Sequence, residues 1–282
     1  MKIGLVLQGG GTRGMYTAGV LDVFLEKGIT FDGVIGVSAG AVHACSYLSG
    51  QRGRSLRYFK KYCADPRFMS LRSLLKTGDL VGADFCYHEL PDRLDIYDND
   101  AYLNCGVPFY ACCTNLETGK AEYLSVKDMR GDIDILRASA SIPFVSRIVM
   151  IDGKPYLDGG CADSVPIRAF RDMGYPRNVV ILTRCERFPK EPKCALLSRL
   201  RYHKYPAFIH TMDTRQAVYD QTEEALYAME KAGEIFLIRP SRPLPVRAIE
   251  KDASRIEAAY RIGRADALQL LDRLTSWLQQ SK

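Results

Sequence analysis

No hydrophobic run in this sequence is long enough to cross a membrane. Its 282 residues contain no apolar stretch near the roughly 20 residues that a spanning helix needs. The run IGLVL after Lys2 is too short for a secretory signal, since a glutamine and three glycines follow it at once. We therefore expect neither a membrane span nor an export signal.

The cysteines lack the spacing of a metal site or of a disulfide framework. None of the nine forms a C-x-x-C pair, and Cys112 and Cys113 are adjacent. Because disulfide frameworks belong to oxidising compartments, this arrangement favours a reducing one. We expect a cytoplasmic protein.

The chain also lacks internal repeats and low-complexity tracts, and its composition is that of an ordinary globular protein. Hydrophobic residues make up 47 % and charged residues 26 %. The net charge of +6 is mildly basic. A basic surface favours anionic partners, either a membrane surface or a nucleic acid, without deciding between them.

Short buried strands alternate with helices in the first fifty residues. KIGLVLQ (2–8) and GVIGV (33–37) are continuous apolar runs that indicate buried strands. Residues 16–28 have apolar side chains at helical spacing, and a second helix over 41–50 ends at a glycine. This β-α-β-α order predicts an α/β fold with a mainly parallel sheet and right-handed crossovers.

Further elements follow by the same criteria. They are strands at 107–115, 121–126 and 178–183, a helix over 132–141 that ends before Pro143, two strands around an Asp152-Gly153 turn, a helix over 214–233, a strand at 234–240 and one long helix from about 252 to 280. Residues 51–104 are polar with helical patches, and their pattern assigns no definite elements.

A glycine loop follows the first strand. Gly9, Gly11 and Gly14 satisfy G-x-G-x-x-G at the mouth of a helix, which is the setting of a dinucleotide-binding fingerprint. That fingerprint requires an acidic residue at the end of the second strand, whereas Asp32 precedes this strand. A phosphate-binding P-loop is excluded because no Gly-Lys-Ser/Thr follows. The other interpretations of this loop are an oxyanion hole of converging backbone amides and a purely structural tight turn.

Gly36, Ser38 and Gly40 form a G-x-S-x-G motif where the second strand ends. A strand-turn-helix is the setting of a nucleophile elbow, in which small neighbours permit a strained bend that exposes the hydroxyl. The alternative is a serine that caps the following helix.

A nucleophilic serine needs a base, for which the sequence offers a histidine or a carboxylate. The chain order Ser38, Asp158, His210 is compatible with a hydrolase triad, but neither His203 nor His210 lies at a strand end between small residues. Asp158 does, since two glycines follow it directly. Burial beside an apolar pocket would raise its pKa and make it a stronger base. The alternative is a turn aspartate that binds local amides.

Five motifs occur along the chain: GGGTRG at 9–14, AGVL at 18–21, GVSAG at 36–40, ASASIP at 138–143 and DGG at 158–160. This order resembles that of the patatin-like phospholipases over about residues 3–183. The resemblance implies a three-layer α/β/α sandwich with a mainly parallel central sheet. It also implies a serine acyl hydrolase that cleaves acyl esters of lipids by a Ser-Asp dyad, without a histidine.

Carried over by position, the resemblance implies a role for each motif. Ser38 would be the nucleophile and Asp158 the proton acceptor. The oxyanion hole would comprise Gly9, Gly10, Gly11, Thr12, Arg13 and Gly14, the elbow Gly36 and Gly40, and the base loop Gly159 and Gly160. Many relatives have an asparagine before the proline that follows DGG, but this chain has Ser164 there, so the support of the base loop differs. No metal and no organic cofactor is implied.

Residues 184–282 carry no recognisable motif and begin with a basic stretch. Seven lysines and arginines within 184–204 stand against two glutamates, with leucines and aromatic residues between them. Two interpretations stay open: the stretch lies on an anionic membrane surface, or it is a solvated loop. We predict a catalytic domain over 1–183 and an extension over 184–282 that packs on it.

The predicted partners are a lipid or another acyl ester and, peripherally, an anionic membrane, with no nucleic acid. Two alternatives to the Ser-Asp hydrolase remain at this point. One is a histidine-dependent triad esterase, and the other is a dinucleotide- or lipid-binding protein without turnover.

Overall fold

The computed structural model describes residues 1–185 and 195–280. The strands are β1 Ile3–Leu7, β2 Gly33–Val37, β3 Phe109–Asn115, β4 Ala121–Ser125, β5 Val149–Ile151, β6 Lys154–Asp158, β7 Arg177–Ile181 and β8 Ile235–Ile238. The helices are α1 Met15–Glu26, α2 Ala39–Leu48, α3 Arg54–Tyr62, α4 Leu71–Thr77, α5 Asn99–Asn104, α6 Ile133–Ser139, α7 Ile167–Asp172, α8 Ala195–Arg201, α9 Pro206–Lys231, α10 Ala253–Gln269 and α11 Leu271–Gln279. Short 3₁₀ turns cover Gly11–Gly14 and Gly159–Cys161, and a π-helix covers Phe85–Leu94.

These strands form one mixed sheet in the order β5-β6-β3-β2-β1-β7-β8, with β4 paired to β3. The five strands from β3 to β8 in this order are parallel. The β4 and β6 strands run antiparallel to β3, and β5 runs antiparallel to β6 around the predicted turn. The predicted α/β class with a mainly parallel central sheet is confirmed.

Helices cover both faces of the sheet. Successive residues of β1 enter different cores: Leu5 and Leu7 pack in the cluster that includes α1 and α2, and Val6 packs in the cluster that includes α7 and α9. A strand buried on both faces needs apolar residues throughout, which is why β1 has no alternating pattern. The architecture is therefore the three-layer sandwich that the resemblance implied.

The C-terminal part of the chain enters the same sheet and the same core. The β8 strand pairs in parallel with β7, and α10 packs against α1. The two helices touch through glycines: a Cβ at Gly19 would lie 2.2 Å from the Tyr260 carbonyl oxygen, and a Cβ at Gly263 would lie 2.1 Å from that of Tyr16. Only glycine permits this backbone contact between helices.

The single long helix predicted near the C-terminus is wrong, because the structure interrupts it at Leu270 to give α10 and α11. The break allows Trp277 of α11 to pack on the sheet edge. Its indole N–H donates to the Gly233 carbonyl oxygen at 3.0 Å, and its ring lies 3.9 Å beneath the Arg177 guanidinium. Helical periodicity carries no information about such a distant partner.

Residues 51–104, which the sequence left unassigned, form α3, α4, the π-helix and α5. Their aromatic side chains pack together and against α1 and α10 in a second apolar cluster. Arg54 is buried within this region, where it forms an ion pair with Asp95 at 3.3 Å and lies 5.4 Å from the Tyr58 ring. This cluster forms much of the wall of the apolar cavity described below.

Candidate active site

Ser38 lies in a strained bend between β2 and α2. Its φ is 53° and its ψ is −123°, a conformation that costs a serine on the order of 1–3 kcal/mol. The flanking glycines are required by space: a Cβ at Gly36 would lie 2.6 Å from the Ala41 nitrogen, and one at Gly40 would lie 2.5 Å from the Leu7 carbonyl oxygen. The Ser38 side chain makes no capping hydrogen bond to α2. The local geometry is therefore that of an elbow, and not that of a helix cap.

The β3 strand brings Ser38 close to Asp158. Its Cys112 is in register with Val37 of β2, and the next residue, Cys113, is in register with Asp158 of β6. Because β4 occupies one edge of β3, both β2 and β6 pair with its opposite edge, and their ends meet there. Two residues that are 120 positions apart in the chain thus become neighbours.

The ASASIP motif links both residues to the sheet. The Ser139 hydroxyl accepts a hydrogen bond from the Ser38 amide at 3.0 Å and donates one to the Cys112 carbonyl oxygen at 2.7 Å. The Asp158 amide donates to the Ser141 carbonyl oxygen at 2.9 Å. The sequence showed this motif but gave no function for its serines, which act through contacts that are distant in the chain.

Asp158 is buried, with 8 % of its surface exposed, and burial raises the pKa of its carboxyl group. Three favourable interactions with the ionised form oppose that shift in pKa: a hydrogen bond from the Ser38 hydroxyl, one from the Gly160 amide at 2.8 Å, and the charge of Arg215. A Cβ at Gly159 would lie 2.1 Å from a backbone oxygen of β3, so the base loop packs tightly on the sheet. The site holds a carboxylate whose proton affinity is higher than usual, in contact with a serine hydroxyl.

The glycine loop contains two amides that are available to a ligand. The Thr12 amide already donates to the Ala248 carbonyl oxygen at 2.9 Å, and that of Arg13 to the Gly10 oxygen at 3.2 Å. Within the described part of the chain, the amides of Gly10 and Gly11 have no acceptor. Gly11 has a φ of +57°, and a Cβ there would lie 2.4 Å from the Ala248 oxygen. Space and backbone conformation therefore both require glycine at this position.

The loop passes directly over the elbow. A Cβ at Gly9 would lie 3.1 Å from the Ser38 Cβ, and one at Gly14 would lie 2.9 Å from the Ala39 Cβ. The Gly9 carbonyl accepts a hydrogen bond from the Thr183 hydroxyl at 2.7 Å, which fixes the loop to the end of β7. The loop that carries the available amides thus lies against Ser38.

Two cavities of different character meet at Ser38. The first has a volume of about 530 Å³ and is mainly apolar, with Val42, Tyr58, Phe59, Phe68, Met69 and Leu80 in its wall. The second has a volume of about 910 Å³, and its surface is also mainly apolar. We call it the polar cavity because its wall includes Gln8, Arg13, Asp158, Arg184, Arg215 and Tyr219. Ser38 and Gly11 line both, so the serine and the glycine loop stand at the junction.

None of the four histidines bonds to Ser38 within residues 1–185 and 195–280. His203 and His210 are exposed and line neither cavity. His43 is buried beneath the glycine loop, where its Nδ1 lies 3.1 Å from the Ser55 hydroxyl and burial lowers its pKa to about 4. His88 lies on the wall of the apolar cavity.

Asp32 lies at the opposite end of β1 from the glycine loop, so it is not placed to bind a dinucleotide there. Its carboxylate accepts a hydrogen bond from the Ile3 amide at 2.6 Å, where β1 begins, whereas the glycine loop follows the end of β1. The fingerprint needs its acidic residue beside the glycine loop. The geometry therefore offers no ribose contact from this residue.

The base loop receives support from a residue that sequence reasoning missed. The Gly160 carbonyl oxygen accepts a hydrogen bond from the Ser164 hydroxyl at 3.0 Å and a second from Nε of Arg215 at 2.8 Å. Arg215 lies on α9, and no motif marks it in the sequence. Its contribution depends entirely on the packing of α9 against the sheet.

Three further observations concern the chemistry of the described residues. No cluster of three or more His, Cys, Asp or Glu side chains among them could hold a metal ion. The eight cysteines among them are free thiols. No helix in this part of the chain is long and apolar enough to span a membrane.

A family model described as patatin-like phospholipase matches residues 5–103 and 118–171, which is more than half of the chain and includes Ser38, the glycine loop and Asp158. The chain belongs to the patatin-like phospholipase family. A second model, a domain of unknown function (DUF6363), matches residues 205–279 of this patatin-like protein.

Similar proteins cover different shares of the patatin-like chain. The uncharacterized protein YjjU of Escherichia coli K12 is 26 % identical over 93 % of this chain and 75 % of its own. The uncharacterized NTE family protein Rv1063c of Mycobacterium tuberculosis is 29 % identical over 59 % of this chain and 44 % of its own. Lysophospholipase NTE1 of Mycosarcoma maydis is 27 % identical over 62 % of this chain, but the match spans only 9 % of its length.

Among solved structures, that of VipD from Legionella pneumophila aligns with 96 % of this chain and 67 % of its own, at 14 % identity and a TM-score of 0.48.

Proposed function

We propose that this protein hydrolyses acyl esters of lipids, with Ser38 as the nucleophile and Asp158 as the base. The observation that carries the proposal is the contact between the Ser38 hydroxyl and the buried Asp158 carboxylate, at the junction of an apolar and a polar cavity. The coarser part, a lipid acyl hydrolase, is supported by membership of the patatin-like phospholipase family.

Each step of the reaction has a residue to perform it. Asp158 takes the Ser38 proton while the hydroxyl oxygen attacks the ester carbonyl, and the amides of Gly10 and Gly11 stabilise the resulting oxyanion. Asp158 then donates this proton to the leaving alkoxide and leaves an acyl-enzyme. Water, activated by the same carboxylate, releases the acid. A carboxylate needs no third residue to fix a tautomer, because its two oxygens are equivalent.

The two cavities suggest how the substrate lies. The apolar cavity takes the acyl chain, since burial of each methylene stabilises a complex by about 0.8 kcal/mol. The polar cavity takes the alcohol part of the ester, because its wall carries charged and hydrogen-bonding side chains that can bind polar groups. The name of the similar lysophospholipase NTE1 agrees with a phosphate-bearing leaving group.

We also infer peripheral contact with an anionic membrane through α8. Its leucines are exposed to 73 % (Leu196), 58 % (Leu197) and 67 % (Leu200), and the helix carries Arg199 and Arg201 with no acidic residue. Exposed leucines beside arginines are typical of interfacial helices. Of the other five positive residues of the predicted stretch, Arg187, Lys190 and Lys193 lie outside the described residues.

The test of the proposed function is covalent labelling combined with turnover. A fluorophosphonate probe is expected to label Ser38, and the protein should hydrolyse p-nitrophenyl butyrate and the esters of a lipid panel. Loss of labelling and turnover in His203→Ala or His210→Ala would instead favour the triad esterase. A change of tryptophan fluorescence on addition of NADH, without labelling, would favour a dinucleotide-binding protein.

A further inference from the structure

Arg215 reaches the candidate active site from outside the region that the patatin-like model matches. It lies on α9, within the residues that match the domain of unknown function. The second matched segment of the patatin-like model, in contrast, ends at residue 171. Its Nε donates to the Gly160 carbonyl oxygen at 2.8 Å, and its side chain lines the polar cavity beside Asp158.

The Gly160 residue connects Arg215 to the base. Its amide donates to Oδ1 of Asp158 at 2.8 Å, and its carbonyl oxygen accepts from Arg215. The guanidinium is planar and its donors are fixed in direction, so this hydrogen bond restrains the glycine. Restraint of Gly160 also restrains the carboxylate oxygen that its amide binds. Ser164 adds a second, uncharged donor to the same carbonyl oxygen.

One turn further along α9, the same helix contacts the glycine loop. The hydroxyl of Tyr219, four residues after Arg215 and hence on the same face, accepts a hydrogen bond from Nε2 of Gln8 at 2.9 Å. Oε1 of Gln8 accepts from the Thr183 amide at 2.7 Å, next to the hydroxyl that binds Gly9. The face of α9 that carries Arg215 is therefore fixed relative to both loops of the site.

We propose that Arg215 is a positioning residue for the reaction: its guanidinium holds the Gly160 peptide, and through it the Asp158 carboxylate, in line with Ser38. This inference rests on the proposed function, because it assigns a task only if Asp158 is the base.

The surroundings of Asp158 make the charge of Arg215 effective. The titratable groups around the carboxylate include Tyr87, Cys112 and Cys113, and the wall of the same cavity adds Cys161, Tyr219, the carboxylates of Asp213 and Asp220, and the cations Arg13, Arg184 and Arg215. The two thiols are neutral, since burial raises their pKa, and Asp163 of the same loop is engaged by the Tyr123 hydroxyl at 2.8 Å. Arg215 is the cation whose charge lowers the pKa of Asp158, against the effect of burial.

The test compares Arg215→Gln and Arg215→Lys with the wild-type protein by the pH dependence of kcat/KM on p-nitrophenyl butyrate. In Arg215→Gln the acid limb should move to higher pH, because the base loses its cation, and kcat should fall by about 10-fold or more. In Arg215→Lys the acid limb should stay in place while kcat falls by several-fold, because lysine keeps the charge but not the fixed donor geometry.

Lys231→Gln is the matched control, because it removes one positive charge from the exposed end of the same helix. It should leave both the acid limb of the pH profile and kcat unchanged. An unmoved acid limb in folded Arg215→Gln, or a wild-type kcat in Arg215→Lys, would overturn the positioning role. If Arg215→Gln does not unfold cooperatively, the kcat of Arg215→Lys decides. Failure of the proposed function looks different, since the wild-type protein itself would then neither hydrolyse the ester nor bind the fluorophosphonate.

Discussion

The backbone of Ser38 adopts a conformation that only glycine takes without strain, and the strain has a measurable consequence. Ser38→Ala and Ser38→Gly should both lose hydrolysis, because neither side chain has a nucleophile. Glycine, unlike alanine, adopts a positive φ without strain, so Ser38→Gly should be more stable to unfolding than Ser38→Ala by about 1 kcal/mol. Urea unfolding followed by circular dichroism measures this difference. Equal stability of the two variants would contradict the strained elbow.

The buried carboxylate of Asp158 predicts a dependence of stability on pH. Burial raises its pKa in the folded state, so the folded protein binds the proton more tightly than the unfolded chain. The stability that this proton confers is complete at low pH and is lost as the pH rises through the pKa of the folded state.

Asp158→Asn removes this titration and should abolish hydrolysis. Its free energy of unfolding minus that of the wild-type protein should therefore increase as the pH rises from about 4 through the pKa of the folded state, and then level off. Chemical unfolding at a series of pH values measures the difference. A difference that is constant with pH would show that Asp158 titrates as an exposed carboxyl group does.

At the scale of elements, the glycine loop and the segment around Ala248 form one contact that spans most of the chain. The Ala248 carbonyl oxygen accepts hydrogen bonds from the Thr12 amide at 2.9 Å and from its hydroxyl at 3.1 Å, and the same hydroxyl accepts from the Glu250 amide at 3.2 Å. These hydrogen bonds fix the position of the glycine loop relative to the segment.

A comparison of two glycines with positive φ, Gly11 and Gly28, distinguishes the effect of backbone strain from the effect of this contact. A methyl group at Gly11 would meet the Ala248 oxygen, whereas nothing lies within 4 Å of one at Gly28, where φ is +64°. Both alanine variants carry the strain of a positive φ. We expect Gly11→Ala to be the less stable and to lose about 10²-fold or more in turnover, as does the loss of an oxyanion donor, while Gly28→Ala keeps its turnover. Comparable turnover in the two variants would leave the loop a structural role alone.

The elements that could be predicted from the sequence are those whose signal is local. Strands β1 and β2 are short apolar runs with glycines within or just after them, so they and the helices after them were predicted within a few residues. The turn at Asp152, with a φ of +49°, and the strands on either side of it were also predictable from the Asp-Gly pair.

The elements that the sequence left open depend on distant partners. The polar pattern of residues 51–104 conceals aromatic side chains that pack against α1 and α10, and the interruption at Leu270 serves the contact of Trp277 with the sheet. In the candidate site, Ser38 and Asp158 were predicted because each lies in a glycine-rich motif. Arg215 has no such neighbours, and its role depends on the hydrogen bond to Gly160.

At the scale of the whole molecule, the proposed boundary at residue 183 divides the sequence but not the site. The chain beyond it contributes β8 to the sheet, α10 to the packing of α1, and Arg215 and Ala248 to the two loops beside Ser38. The described residues beyond this boundary, 184–185 and 195–280, are therefore best regarded as an integral part of the catalytic unit that we propose.

The membrane contact that we propose for α8 predicts a salt-dependent activity on lipid surfaces. Each arginine near an anionic surface is worth roughly 1 kcal/mol, and this attraction is screened beyond a Debye length of about 10 Å at 0.1 M salt. Hydrolysis of esters in anionic vesicles should therefore fall as salt rises. Hydrolysis of dissolved p-nitrophenyl butyrate should not, because that substrate needs no surface.

The double variant Arg199→Glu/Arg201→Glu tests α8 itself. It should lower activity on anionic vesicles by about 10-fold or more at low salt and leave the soluble ester unaffected. The control variant Lys27→Glu/Lys231→Glu makes the same change in net charge. Its two exposed positions precede β2 and β8, at the end of the parallel strands that lies away from Ser38. It should keep its activity on vesicles. Equal losses in the two double variants would assign the effect to net charge, and equal activity on anionic and neutral vesicles would leave α8 a solvated helix.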